Sequence, residues 1–395
     1  MNISRQLLTP LLAVIAFSPV FAAESADSVA HNSDEETSKE QPNEAPKGIV
    51  NKVIHYFDQT NKRELTTRPN FSIIGGPHYS SDKGFGVGLV MAGDYSTQPS
   101  DSLLSPSEIS LAADVATKGY YSIGLKGTHV TPHDARRIYY DLDFQYFETY
   151  FWGIGYDWDS DDANKTSYDL FKIGLEIDYE FRLADGIYLG PSVNLVYTNA
   201  RGMASARAWQ GERMKYFSAG LGARLQYDLR DCLTYPRRGL LIEFSQMFYP
   251  SFLGNSSHHF GSTELAFNKY LTLWKNGVLA MRLHGHWTYG QTPWNQLPYL
   301  GGNSMRSYYE GRYRDKCVTD ATVELRQRVY RRSGLAFWLG VGTVYHRLSD
   351  IQMRKLLPEA GIGYRFEFKR DLNIRLDFGV GRHSTGFLFS MNEAF

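Results

Sequence analysis

The chain has 395 residues, with Lys+Arg and Asp+Glu balanced at 42 each. A formal net charge of +0 excludes bulk electrostatic attraction to nucleic acid or to an acidic surface. Only two cysteines occur against 36 glycines and 14% aromatic residues, which excludes a disulfide scaffold and suits aromatic-decorated strands.

Residues 1–22 read as a signal peptide. Arg5 supplies the positive start, "LLTPLLAVIAFSPVF" the apolar stretch, and Val20–Phe21–Ala22 the small-residue cleavage pattern. Pro10 and Pro19 interrupt that stretch, which argues against an uncleaved spanning helix, and no later window is apolar enough for one. Residues 23–46 are acidic and polar without a hydrophobic period, so a disordered linker is expected. Across 47–63, Ile49, Val50, Val53, Ile54 and Phe57 share one face of an amphipathic helix. Such a helix docks on the main domain, blocks its mouth or lumen, or lies on a membrane surface.

From Phe71 the period becomes two and stays so to the end. Phe171, Ile173, Leu175, Ile177, Tyr179 and Phe181 alternate with Lys172, Gly174, Glu176, Asp178 and Glu180. "LNIRLDFGV" and "VELRQRVY" repeat the pattern. A soluble sandwich points its apolar face inward, but two features favour the inverse. The apolar faces are aromatic near strand ends (Tyr139, Tyr140, Tyr146, Phe147, Tyr150, Phe151, Trp152), as an interfacial girdle requires. The polar faces carry both signs of charge on strand after strand, which suits a wet, cross-linked interior. Strands of about ten residues are long enough to cross a bilayer at a tilt. The expected fold is all-β: an antiparallel outer-membrane barrel over residues 70–395, with about sixteen strands at roughly twenty residues per strand and connection. "ADG", "KNG" and "RRSG" then all become periplasmic turns.

On that count "GGNSMRSYYEGRYRDK" (301–316) is the connection between the eleventh and twelfth strands, on the outer side. "GGNSMRSYY" resembles the Gly-Gly…Val-Arg-Gly-Phe/Tyr loop of the bacterial surface antigen family, which comprises BamA/TamA-type barrels and two-partner-secretion transporters. "YDLRDCLTYPRRGLLIEF" is similar to that family's Asp-x-Arg-Asp…Pro-x-x-Gly turn. "VELRQRVYRRSGLAFWLGVGTV" and "LNIRLDFGVGRHSTGFLFSMNEAF" resemble its twelfth and thirteenth strands and its final strand pair. The resemblance covers about residues 70–395, and the four segments occur in the family's order.

The resemblance implies a loop folded into the lumen and locked by its arginine. Arg306 is the matching position and Glu324, inward on the next strand, the expected partner; Gly301, Gly302, Met305, Ser307 and Tyr308 fill out the loop motif. Two departures stand out: Ser307 replaces the motif glycine, and Gly340 stands where the thirteenth strand usually carries an Asp partner. Family members usually carry periplasmic substrate-binding modules. Only residues 23–70 precede the barrel here, so the sequence reads as a short member lacking them. The resemblance also implies a weak seam between first and last strands. Gly75, Gly76 and Pro77 in the first, and Gly386 in the last, are residues that weaken or interrupt ladders. Phe395 matches the terminal aromatic of an assembly signal.

His284 and His286 share a strand face, but no adjacent third ligand makes a metal site. His383–Ser384 invites a hydrolase reading without a recognisable triad. Cys232 is expected in a periplasmic turn and Cys317 at the outer side, a separation that counts against a disulfide without deciding it. The resemblance implies assembly or translocation of a protein or lipid substrate at the outer membrane. No catalysis, cofactor or nucleic acid is expected; the partners are outer-membrane lipid, the assembly machinery for its own insertion, and an unknown substrate. The alternative is a loop-occluded channel for small solutes, and an outer-membrane hydrolase is the third reading.

Overall fold

The computed structural model describes residues 66–395 apart from 81–83, 102–103, 206, 210, 256–257 and 370–371. The segments expected to be a signal peptide (1–22), a linker (23–46) and an amphipathic helix (47–63) lie outside the described residues. Period-two sequence becomes strand throughout. The strands are β1 (Asn70–Ser80), β2 (Gly84–Tyr95), β3 (Ser107–Ala116), β4 (Tyr120–Val130), β5 (Arg136–Phe151) and β6 (Thr166–Ala184). β7 (Ile187–Arg201), β8 (Lys215–Asp228), β9 (Gly239–Tyr249), β10 (Phe260–Trp274) and β11 (Gly277–Gly290) follow. After the inserted loop come β14 (Cys317–Tyr330), β15 (Ser333–Tyr345), β16 (Leu357–Lys369), β17 (Leu372–Gly381) and β18 (Ser384–Met391). Within the loop, β12 (Tyr299–Leu300) and β13 (Tyr313–Arg314) pair only with each other.

The remaining strands make one 16-stranded sheet in chain order, each antiparallel to the next. No candidate spanning helix is found among the described residues. On β6, Ile173, Ile177 and Phe181 are exposed while Asp178 and Glu180 are buried; on β14, Val323 and Val329 are exposed while Glu324 and Arg326 are buried. That inversion is the pattern of a barrel whose outer wall meets lipid and whose inner wall is a polar network. The turns after β6, β10 and β14 are two residues long and share one end of the barrel with the segment after β18.

The aromatic girdle read from β5 needs correction. Alternation puts Tyr140, Tyr146 and Tyr150 on the outer wall, but Tyr139, Phe147 and Phe151 on the inner one with Arg137 and Asp143. Tyr139 donates to Gln226 at 3.1 Å, and Phe151 is fully buried against Trp209 and Trp294. Consecutive aromatics on a strand cannot all face lipid, whatever their composition suggests.

Two apolar clusters sit where the outer connections meet. One joins Phe151, Tyr168, Trp209 and Trp294; the other joins Leu300, Met305, Tyr308, Tyr313, Val318, Val344 and Leu357. Among the described residues no ladder joins β1 to β18, so these two remain the edges of the sheet. β18 is eight residues long and β17 ten, against 19 for β6.

Candidate functional site

The loop between β11 and β14 turns into the lumen because its own residues find partners there. Gly301 and Gly302 adopt φ of 115° and 62°, values that favour glycine, and they start the reversal. Met305 is fully buried and Tyr308 nearly so. Gly155 N donates to the Arg314 carbonyl and Arg314 N to Asp159 Oδ2, so the β5–β6 connection clamps the loop from outside. The Arg314 guanidinium lies 5.1 Å from the Phe151 ring, a cation–π distance.

Asp159 is fully buried, and among the described residues its Oδ1 has no hydrogen-bond partner. Burial holds its carboxyl well above the ordinary aspartate range, against the opposing pull of the Arg314 N–H and charge. A raised folded-state value means the neutral acid is favoured on folding. That stability is complete below the ordinary aspartate value and is lost as pH rises through the raised one. Each unit of displacement is worth about 1.4 kcal/mol. Asp159→Asn is therefore expected to match wild type in thermal midpoint at pH 4 and exceed it at pH 8, by heat-modifiable gel mobility. Equal midpoints at both pH values refute this.

The centre of the site is the Arg306 guanidinium. Its Nη2 is 2.5 Å from Glu324 Oε2 and its Nη1 is 3.1 Å from Asp377 Oδ2. The Trp338 ring covers it at 4.1 Å. The structure thus brings Arg306 and Glu324 together and adds two partners that the sequence reading missed. Asp377 on β17 supplies a second carboxylate, and it does so from a different strand than the one carrying Gly340.

Both departures from the family pattern have a local explanation. Ser307 is not among the residues with positive φ, so its Cβ costs no backbone strain. The space a glycine would have left is supplied by the wall instead. A Cβ on Gly379 would come within 2.5 Å of Ser307 Oγ, one on Gly381 within 2.6 Å of the Tyr308 ring, and one on Gly386 would overlap the Arg306 carbonyl. Gly340, for its part, leaves room for the Glu359 side chain, which a Cβ there would meet at 2.9 Å. Glu359 Oε2 then accepts from Ser307 N at 2.9 Å. Ser384 Oγ donates to the Ser307 carbonyl at 2.6 Å, and the Tyr308 hydroxyl donates to the Pro358 carbonyl at 2.6 Å.

The ion pairs close on themselves. Arg326 Nε is 2.6 Å from Glu324 Oε1 and 3.4 Å from Glu393 Oε2. Arg365 Nε is 2.9 Å from Glu393 Oε2, and its Nη1 is 2.5 Å from Asp377 Oδ1. Going round, Arg306, Glu324, Arg326, Glu393, Arg365 and Asp377 form a six-membered ring of alternating charge. Arg375 adds a contact to Asp377 at 3.4 Å and donates to the loop's Asn303 at 2.6 Å. A buried charge network of this kind is stable only when complete. Alternation puts Arg375 and Asp377 on the inner wall, opposite in parity to Ile374, Leu376 and Phe378; their depth depends on strand register, which alternation does not carry.

Other expected site residues fall as follows. Gly75, Gly76 and Pro77 lie in β1 and pair with Leu89, Gly88 and Val87 of β2. Gly386 lies at the loop contact already described. Phe395 lies past β18, its carbonyl accepting from Arg326 Nη2 at 2.9 Å. His284 is held by Glu264 and Asp320 at 3.0 Å each, and His286 by Ser262 at 2.7 Å; no metal-capable group of three appears among the described residues. Cys232 and Cys317 are both free. In the Asp-x-Arg-Asp segment, Asp228 binds Arg230 at 2.9 Å and Arg137 at 2.9 Å, and Asp231 accepts from the Arg237 and Arg238 amides, which shapes the turn before β9.

Residues 109–395 match the model of the Omp85 superfamily domain. Among solved structures, the chain is similar to BamA from Haemophilus ducreyi lacking POTRA domains 1–3, with a TM-score of 0.53 and 12% identity over 82% of this chain and 70% of that one. CdiB from Acinetobacter baumannii gives a TM-score of 0.49 and 11% identity over 82% and 59% of the two chains. No curated protein matches it in sequence.

Proposed function

Because the chain belongs to the Omp85 superfamily and is a β-barrel of the outer membrane, we propose that it assists insertion or transport of protein or lipid substrates there. The route is the lumen or the seam between β1 and β18. One observation carries the reading: the inserted loop is fastened to β17 and β18 through Asp377, Ser384 and the glycine contacts at Gly379 and Gly386. The element that occupies the lumen therefore also bears on an edge strand of the sheet. A passive solute channel has no use for that coupling, whereas a barrel whose edge must part under control does. The reading requires no catalysis and no cofactor. Its partners are outer-membrane lipid, the substrate, and the machinery that inserts the barrel itself.

Photo-crosslinking residues at Ile73 on β1 and Phe387 on β18, both exposed on the outer wall, test the proposal in living cells. Substrate adducts are expected at both positions and absent at Phe267 on β10, across the barrel. Adducts equal at all three positions count against a seam route. A large, steady single-channel conductance of the wild type in planar bilayers overturns the reading in favour of a solute pore.

A further inference from the structure

β18 ends at Met391, and its register fixes what continuing it would do. Phe387 and Phe389 are exposed on the outer wall, so position 393 of an extended strand would point outward as well, level with the start of β17 and away from the arginines of the inner wall. The chain does otherwise. Asn392 takes φ of 60° while its N–H still bonds the Asn373 carbonyl at 2.8 Å, and the backbone reverses into the lumen.

Inside, the segment finds a set of partners on three strands. Glu393 Oε2 accepts from Arg365 Nε at 2.9 Å and faces Arg326 Nε at 3.4 Å; its Oε1 accepts from Asn373 Nδ2 at 2.9 Å. The Glu393 side chain is 1% exposed. The Phe395 carbonyl is held by Arg326, whose guanidinium carbon lies 5.4 Å from the Phe395 ring centroid. Asn392, Glu393 and Phe395 also wall one side of a lumenal cavity of 340 Å³, shared with Tyr270, Arg282 and Asn268.

We propose that residues 392–395 act as an intramolecular ligand. Their site on the inner wall is formed by Arg326, Arg365 and Asn373, and its recognition chemistry suits a peptide carrying a carboxylate and an aromatic two residues on. Occupancy has a consequence for the loop. Without Glu393, Arg326 and Arg365 have only Glu324 and Asp377 to neutralise them, and these are the carboxylates that hold Arg306. The segment after the last strand therefore sets how firmly the inserted loop is seated. This does not depend on what the barrel transports.

The test uses the full-length, detergent-purified chain with Cys232→Ser and Cys317→Ser and a single reporter, Ala394→Cys. A bulky, polymer-linked maleimide is expected to label the reporter slowly in this parent, and about tenfold faster or more when Glu393→Gln removes the charge-assisted contact. A second reporter, Ser304→Cys in the loop, is expected to speed up with the same substitution. Fast labelling of Ala394→Cys in the parent overturns the docked placement. Unchanged rates at either reporter on Glu393→Gln overturn the coupling. Should Glu393→Gln fail to fold, the parent rate alone still decides whether the segment is docked. No arm reads substrate, so failure here and failure of the transport reading stay distinct.

Discussion

Arg306→Ala is expected to lower stability by about 3–5 kcal/mol, the usual result of removing one partner from a buried ion pair. The loss exceeds that of a surface bridge because Glu324 and Asp377 have fully buried side chains and would each lose one of the cations that neutralise them. Arg306→Lys is expected to recover only part. An ammonium is a point charge without the rigid fork that reaches two carboxylates at once, and it stacks less well on Trp338. Glu324→Gln should cost less in the Arg306→Ala background than in the wild type, because one of the cations that Glu324 serves is then already gone; such non-additivity is typical of residues in one network. The readout is the midpoint of heat-modifiable gel mobility together with seam crosslinking in cells. If Arg306→Ala keeps the wild-type midpoint and adduct yield, the ring is not what seats the loop.

Gly386→Val attacks the same seat without touching any charge. A Cβ at this position would overlap the Arg306 carbonyl, and that atom belongs to backbone, which yields less readily than a flexible side chain. Overpacking of this kind costs about 1–3 kcal/mol, and relief comes either from lifting the loop tip or from bending β18. Loss of crosslinking at Phe387 with an intact barrel band on gels is the expected outcome. Gly76→Val serves as the comparison, since a Cβ there meets nothing within 4 Å and the position lies on the other edge strand. Equal effects at the two positions would mean that general strand weakening, rather than the loop contact, explains the phenotype.

The two experiments mark what the sequence could and could not convey. Alternation on β6 and β14 was enough to read a barrel with a charged interior, because period two survives in one dimension. It was also enough to locate the inserted loop by counting strands. It could not say that Gly340, where an aspartate was expected, makes room for Glu359, since that requires knowing which residue of β16 lies opposite. Gly386 shows the same limit. As a letter it looked like a weak point in a strand, whereas its lack of a side chain is what lets Ser307 and the Arg306 carbonyl approach. Tyr139 and Phe151 were misassigned for a simpler reason: aromatic composition was read without tracking which parity each residue occupied. Glu393 carried no signal at all, because only the reversal at Asn392 brings it into the lumen.

The charge ring also has a bearing on the order in which the molecule is made. Its six members run from position 306 to position 393, and the carboxylates that complete it come after the loop in the chain. Arg306 can be held by Glu324 as soon as β14 forms, but Asp377 and Glu393 arrive only with β17 and the segment beyond β18. Contacts of such long sequence separation form late. A barrel halted before its last strand pair would therefore keep unmatched arginines on its inner wall and a loosely held loop, and it would remain open to proteolysis. The finished ring differs from the unfinished one by two carboxylates, Asp377 and Glu393, that only β17 and the segment beyond β18 can bring.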